Sequence, residues 1–178
     1  MPRRRYYRRY VRAAPKKKWA TNMKTGSLTV NVAAGATGHA EEVLVSNSTQ
    51  TASPTPVVVK TGNFKVQGDC FLTSTAAVGS TVQVILYVMY LPEVVFASSS
   101  PITTIQDHPE WIMGWKAVDL NFASSSSNGN SFSFSTRLKR NLNSGDTVAL
   151  VAVIRNSGST MNINAYMNYA VQFWTSAN

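Results

Sequence analysis

Arg3, Arg4, Arg5, Arg8, Arg9, Arg12, Lys16, Lys17, Lys18 and Lys24 put ten positive side chains into the first 24 residues, with no acid among them. The chemistry open to such a run is the neutralisation of a polyanion. Each Lys or Arg that meets a phosphate releases a condensed counterion. Ten contacts therefore give strong, sequence-blind binding, with log K falling against log salt at a slope of about −7 on a single strand. Tyr6, Tyr7 and Tyr10 interleave with the arginines, and a base stacked on an aromatic ring contributes about 1–3 kcal/mol. That combination suits unpaired nucleic acid; packing of the tyrosines on the rest of the protein is the alternative. Arg3, Arg4, Arg5, Arg8, Arg9, Lys16, Lys17 and Lys18 are also a nuclear-import candidate, compatible with nucleic-acid binding. The plainest reading of the run is a solvated tail.

Little else in the chain has the makings of a reactive centre. His39 and His108 are the only histidines, in separate loops, with no HExxH, CxxC or GxSxG pattern near either. A catalytic or metal site would need one of them to converge with carboxylates or with Cys70. Cys70, the single cysteine, falls on an apolar face and reads as a buried structural thiol. The acids Glu41, Glu42, Glu93, Asp107, Glu110 and Asp146 are scattered. Asp107-His108-Pro109-Glu110 is the place to look for a divalent ion or a salt bridge to a neighbouring subunit. No Gly-rich phosphate loop occurs. The chain does not read as an enzyme, and neither a metal nor a cofactor is expected.

The net charge of +9 separates cleanly along the chain: the 154 residues after Lys24 hold seven basic and eight acidic side chains. A +10 arm on a −1 body points to a polyanion met by the arm alone. The boundaries expected are an arm over 1–24 and one folded domain over 25–178. The arm has no periodic apolar face and reads as disordered when free. It reaches about 80 Å fully extended and averages about 27 Å as a coil. No apolar stretch follows the arginines, so the start is not a secretory signal. The longest apolar run, Val84–Leu91, is far short of the roughly 20 residues that span a bilayer, so no membrane insertion is expected. With one cysteine there is no intrachain disulfide. Few charges on a folded surface leave it prone to associate, which favours an oligomer.

The body must position these groups with strands. Leu28, Val30 and Val32 alternate with Thr29 and Asn31, as on a half-buried strand. The same reading gives strands at about 27–33, 41–46, 57–73, 81–91, 110–122, 131–138, 147–155 and 162–174. Thr81–Leu91 (TVQVILYVMYL) is apolar on both faces and fits a central strand. A polar loop with two prolines follows at 47–56, and turns fall at 79–80, 124–130, 143–146 and 156–159. The long connection 93–109 is uncommon inside a compact domain unless it is functional. Trp111 and Trp115, four apart, would share one strand face with Met113, either in the core or against another subunit, where tryptophan is a frequent hot spot. No stretch has a capped helical period. The fold class is all-β, a sandwich or barrel, and eight is the strand number of the viral jelly roll.

The order of these parts resembles the capsid proteins of the circovirus-like, circular Rep-encoding single-stranded DNA viruses. The segments that carry it are MPRRRYYRRYVR, then His108-Pro109-Glu110-Trp111-Ile112-Met113-Gly114-Trp115, then Phe132-Ser133-Phe134-Ser135-Thr136-Arg137 with Asn141-Leu142-Asn143-Ser144-Gly145-Asp146. The resemblance is motif-like over about residues 2–12 and 108–155. It implies a single eight-stranded jelly roll of two antiparallel sheets, sixty copies closing into an icosahedral shell, and an inward basic arm that packages a single-stranded DNA genome. It also implies nuclear import through that arm, assembly in the host nucleus, a place in the virion, and outward loops that meet a host attachment factor. This chain is shorter than typical members, and its arm runs Arg then Lys. The competing classes are a cellular nucleic-acid-binding protein with a basic extension and a jelly-roll enzyme or lectin. The first usually carries basic patches on its folded domain, and the second needs clustered histidines.

Overall fold

The computed structural model describes residues 19–47, 58–72, 81–92, 101–121, 129–156 and 162–177. The arm residues 1–18, most of the polar loop at 47–56, and the turns at 79–80, 124–128 and 157–159 lie outside them. Nine strands are present: β1 (Ala20–Val32), β2 (Thr37–Ser46), β3 (Val59–Leu72), β4 (Thr81–Leu91), β5 (Ile112–Asn121), β6 (Asn130–Ser135), β7 (Arg140–Leu142), β8 (Thr147–Arg155) and β9 (Ile163–Ala177). One short helix, α1 (Pro101–Asp107), and a 3₁₀ turn (Pro109–Trp111) sit between β4 and β5.

The strand pairing is nested. β1 pairs with β9, β2 with β8, β3 with β6 and β4 with β5, all antiparallel, as in one long hairpin folded at the β4–β5 connection. Rolling that hairpin up brings β9 beside β3 and β8 beside β4. The result is two sheets, β1-β9-β3-β6, with β7 also on β3, and β2-β8-β4-β5. Apart from β4–β5 and β6–β7, each connection passes from one sheet to the other. The fold is all-β, two packed antiparallel sheets in the order of a jelly roll.

The alternation in the sequence is what closes the sandwich. Leu28, Val30 and Val32 of β1, Phe64 and Val66 of β3, Val84 and Leu86 of β4, Leu150 and Ile154 of β8, and Met167 and Val171 of β9 all point between the sheets and are buried. Each such side chain contributes about 1.5–3 kcal/mol relative to exposure. Phe64 and Phe173, opposite each other in the β3–β9 ladder, stack with centroids 5.3 Å apart.

The β2-β8-β4-β5 sheet is apolar on its outer face too. Met89, Leu91, Ala149, Val151 and Val153 form a second cluster there, packed by Ile102 and Ile105 of α1 and by Trp111. This accounts for the uniformly apolar β4 and for the length of the 93–109 connection, part of which folds as the cover. The outer face of the other sheet is polar and nearly uncharged: Asn164, Asn168 and Gln172 of β9, Gln67 of β3 and Ser131, Ser133 and Ser135 of β6 are exposed.

Four boundaries differ from the sequence reading. β1 begins at Ala20 rather than 27, so residues 20–24 belong to the sheet. Their inward side chains, Asn22 and Lys24, lie at the open edge of the sandwich and need no apolar alternation. β2 begins at Thr37 rather than 41. The strand expected over 131–138 ends at Ser135, and Arg140–Leu142 forms a separate strand too short for its own pattern. The strand expected from 110 begins at Ile112, because Pro109–Trp111 is a 3₁₀ turn. Trp111 and Trp115 therefore do not share a strand face with Met113. A register shift in β5 pairs Val88 with Gly114 but Met89 with Ile112. The extra residue at the bulge is Met113, which stays in the core while Trp115 faces out.

Candidate nucleic-acid interface

Arg3, Arg4, Arg5, Tyr6, Tyr7, Arg8, Arg9, Tyr10, Arg12, Lys16, Lys17 and Lys18 lie outside the described residues. Lys24, the last cation assigned to the arm, is inside β1. Its Nζ pairs with Glu42 Oε1 at 2.5 Å and also donates to the Val43 carbonyl. The pair ties the edge strands β1 and β2 of the two sheets together. At about one-third exposure it adds stability of only about 0–1 kcal/mol, but it commits the Lys24 ammonium and leaves nine cations in the arm.

The arm leaves the body at one end of the sandwich. Ala20 sits across β9 from Thr175, and Val59, which opens β3, sits across from Leu142 and Ala177. A buried polar network holds this end. Tyr90 donates to Asp146 Oδ2 at 2.7 Å, and the Asn143 N–H donates to the same oxygen at 2.8 Å. Gly145, at φ 90, makes that turn possible. The Gly145 N–H donates to the Asn47 carbonyl and the Asn47 side chain to the Leu142 carbonyl, so the end of β2 is stitched to the β7–β8 turn. Burial, then the hydrogen bond to Asp146 and its negative charge, pushes the Tyr90 phenol up to about 12, against the opposing pull of Arg140. Arg140 lies 5.3 Å from the Tyr90 ring and donates from Nη2 to the Glu110 carbonyl at 2.5 Å.

At this same end the positive charge of the body collects. The seven basic residues after Lys24 are Lys60, Lys65, Lys116, Arg137, Lys139, Arg140 and Arg155. Five of them, all but Lys116 and Arg155, come from the first half of β3 and from the β6–β7 segment. β3 pairs with both β6 and β7 there, setting Lys65 opposite Ser135 and Thr61 opposite Arg140. The expectation that a polyanion meets the arm alone is therefore too narrow: a −1 total conceals a basic corner at the arm's root. Two tryptophans stand in it. Trp19, 39% exposed, and Trp174 line a cleft of about 190 Å³ with Gly62, Asn63 and Lys139. Lys139 Nζ is 5.9 Å from the Trp19 ring centroid and Lys65 Nζ is 5.6 Å from that of Trp174.

The remaining candidates stay apart. His39 is exposed on β2. His108 stacks on Trp111 at 3.8 Å, and its Nδ1 is 3.0 Å from Glu110 Oε1. The backbone N–H of Glu110 and the nearby His108 hold the Glu110 carboxyl below the ordinary range, so the Asp107–Glu110 segment satisfies itself within the chain. Cys70 is buried, and desolvation pushes its thiol up to about 12. Among the described residues no three His, Cys, Asp or Glu side chains converge as a metal-binding group, and no helix there is long and apolar enough to cross a membrane. Trp115, 61% exposed, stands on the outer face of β5 across from Tyr87.

No protein-family model matches the chain, and no curated protein matches it. Among solved structures it is similar to a chain in the structure of infectious bursal disease virus Gx strain. The identity is 10% and the TM-score 0.23, and the match covers 90% of this chain and 40% of that one. The jelly roll rests on the strand pairing described above.

Proposed function

We propose that this chain is a non-enzymatic coat protein of a small circular single-stranded DNA virus. Sixty copies close into an icosahedral shell in the virion, and the basic arm packages the genome after import into the host nucleus. The observation that carries this reading is the division of charge on a jelly roll: an arm of nearly unbroken positive charge beside a body with few charges of either sign. Charge is concentrated where a polyanion would sit, and the body's surfaces are left free to bury against neighbours. Closed symmetry turns such an association-prone surface into a bounded particle.

Trp115 is the side chain we assign to a contact between copies, because an exposed indole on a two-sheet body with few charges is the kind of anchor that dominates interfaces. Sedimentation of the full chain against Trp115→Ser tests this. Trp115 lies outside both hydrophobic clusters, so the variant keeps the wild-type melting temperature, and it needs at least tenfold more protein to form fast-sedimenting species. Unchanged assembly would remove Trp115 from the interface; a wild type that stays monomeric across salt and pH would remove the coat-protein reading.

The basic corner at the arm's root favours a second reading, a cellular nucleic-acid-binding protein with a basic extension. Such a protein would bind single strands as a monomer or small oligomer and form no closed particle.

A further inference from the structure

The cleft between Trp19 and Trp174 has three properties that belong together. Its size, about 190 Å³, exceeds the roughly 150 Å³ cavity that takes up a benzene ring. Its floor is Gly62, where an added Cβ would lie 3.3 Å from Trp174 Cβ and 3.4 Å from a ring carbon of Trp19. The absence of a side chain there keeps the space between the indoles open. Its charged neighbours are all cations. Lys139 lines it, Lys65 lies beside Trp174, and Lys60 sits across from Ser176, two residues along β9 from Trp174. A sugar site would need acceptors as well as an aromatic platform, and no carboxylate lines this cleft. Ammonium groups 5.6–5.9 Å from the ring centroids are at the outer limit of a useful cation–π contact, so they are weakly held and free to turn to a phosphate.

We propose that this cleft is a stacking site for one base of single-stranded nucleic acid, with Lys65 and Lys139 taking the flanking phosphates. The body thus holds the strand where the arm begins, and the arm adds sequence-blind charge beyond it. The inference rests on the reading of the chain as a nucleic-acid-binding coat protein.

Full-length protein, below its assembly concentration, is titrated with a short mixed-sequence single strand and with an abasic strand of equal length and charge. Wild type binds the base-bearing strand about tenfold more tightly. Trp19→Ala and Trp174→Leu each remove most of that preference and leave the affinity for the abasic strand unchanged. Lys139→Gln weakens both strands equally and lowers the salt slope by about 0.7. Trp19 stands outside the core, so Trp19→Ala melts with the wild type and reads out stacking even if Trp174→Leu fails to fold. Photocross-linking of a 5-iodouridine strand to the wild type labels Trp19 or Trp174. A base preference that survives in Trp19→Ala, or cross-links confined to Tyr6, Tyr7 and Tyr10, would overturn the cleft and leave the coat-protein reading standing. A wild type that binds neither strand removes both.

Discussion

Removing residues 1–18 is expected to leave a folded, self-associating body that has lost most of its nucleic acid. The fold predicts the first half: β1 begins at Ala20, and both hydrophobic clusters are built from residues after Ser27. The charge predicts the second. Nine cations leave with the segment, since Lys24 stays in the sheet, paired with Glu42. Binding of the full chain to a mixed-sequence single strand should fall with salt at a slope of about −6 from the arm alone. Between 50 and 200 mM salt that slope costs roughly three to four orders of magnitude in affinity. The truncated chain should retain a slope no steeper than about −3, from the few exposed bases at the corner where the arm was attached. Fluorescence anisotropy across that salt range measures both. Equal slopes, or equal nucleic-acid content in the purified proteins, would take the binding role away from the arm. A strong preference for one sequence would point to readout of base edges instead.

Phe64→Ala should destabilise the body by about 3–5 kcal/mol, the cost of emptying a phenyl-sized space in a packed core. Phe64 is fully buried and stacked on Phe173. Its backbone also anchors the segment after β6: its carbonyl accepts from the Thr136 N–H at 2.8 Å, and its own N–H donates to Thr136 Oγ1 at 3.1 Å. One position thus joins β3, β9 and the strand exit at β6, and the lost packing is hard to recover by collapse. Against a total of about 5–15 kcal/mol for a domain, this is a large fraction. Urea unfolding of the dissociated protein should show a much lower midpoint with an unchanged slope. A loss under about 1 kcal/mol would contradict the central placement of this ring. Met23→Ala, at 69% exposure on β1, is the matched surface change and should fall within about 0.5 kcal/mol of wild type.

What could be read from the sequence was what repeats every second residue. β4 shows it best: a run apolar on both faces is the central strand, with the core on one side and α1 on the other. The alternation of β9 from Ile163 to Phe173 likewise gave its buried face correctly. α1 was hidden because seven residues make two turns, too few for a periodic face, and its isoleucines looked like any loop residues. Trp115 was placed with Met113 because a one-residue bulge, invisible in composition, rephases every residue beyond it. The basic corner was hidden for a different reason. Lys60 and Lys65 stand some 70 residues from Arg137, Lys139 and Arg140 in the chain. Only the pairing of β3 with β6 and β7 gathers them, so a net charge summed along the sequence could not separate a neutral body from one with a charged corner. Lys24 went the other way, counted with the arm's cations until its pairing with Glu42 placed it in the sheet. The arm's own role is carried by its residues alone.

The most direct test of the coat-protein account is an electron micrograph of the purified full-length protein in negative stain. The account predicts uniform, closed, roughly spherical particles far larger than a 178-residue chain, with stain excluded when nucleic acid is present. A field of single small molecules under all salt and pH conditions tried would contradict it.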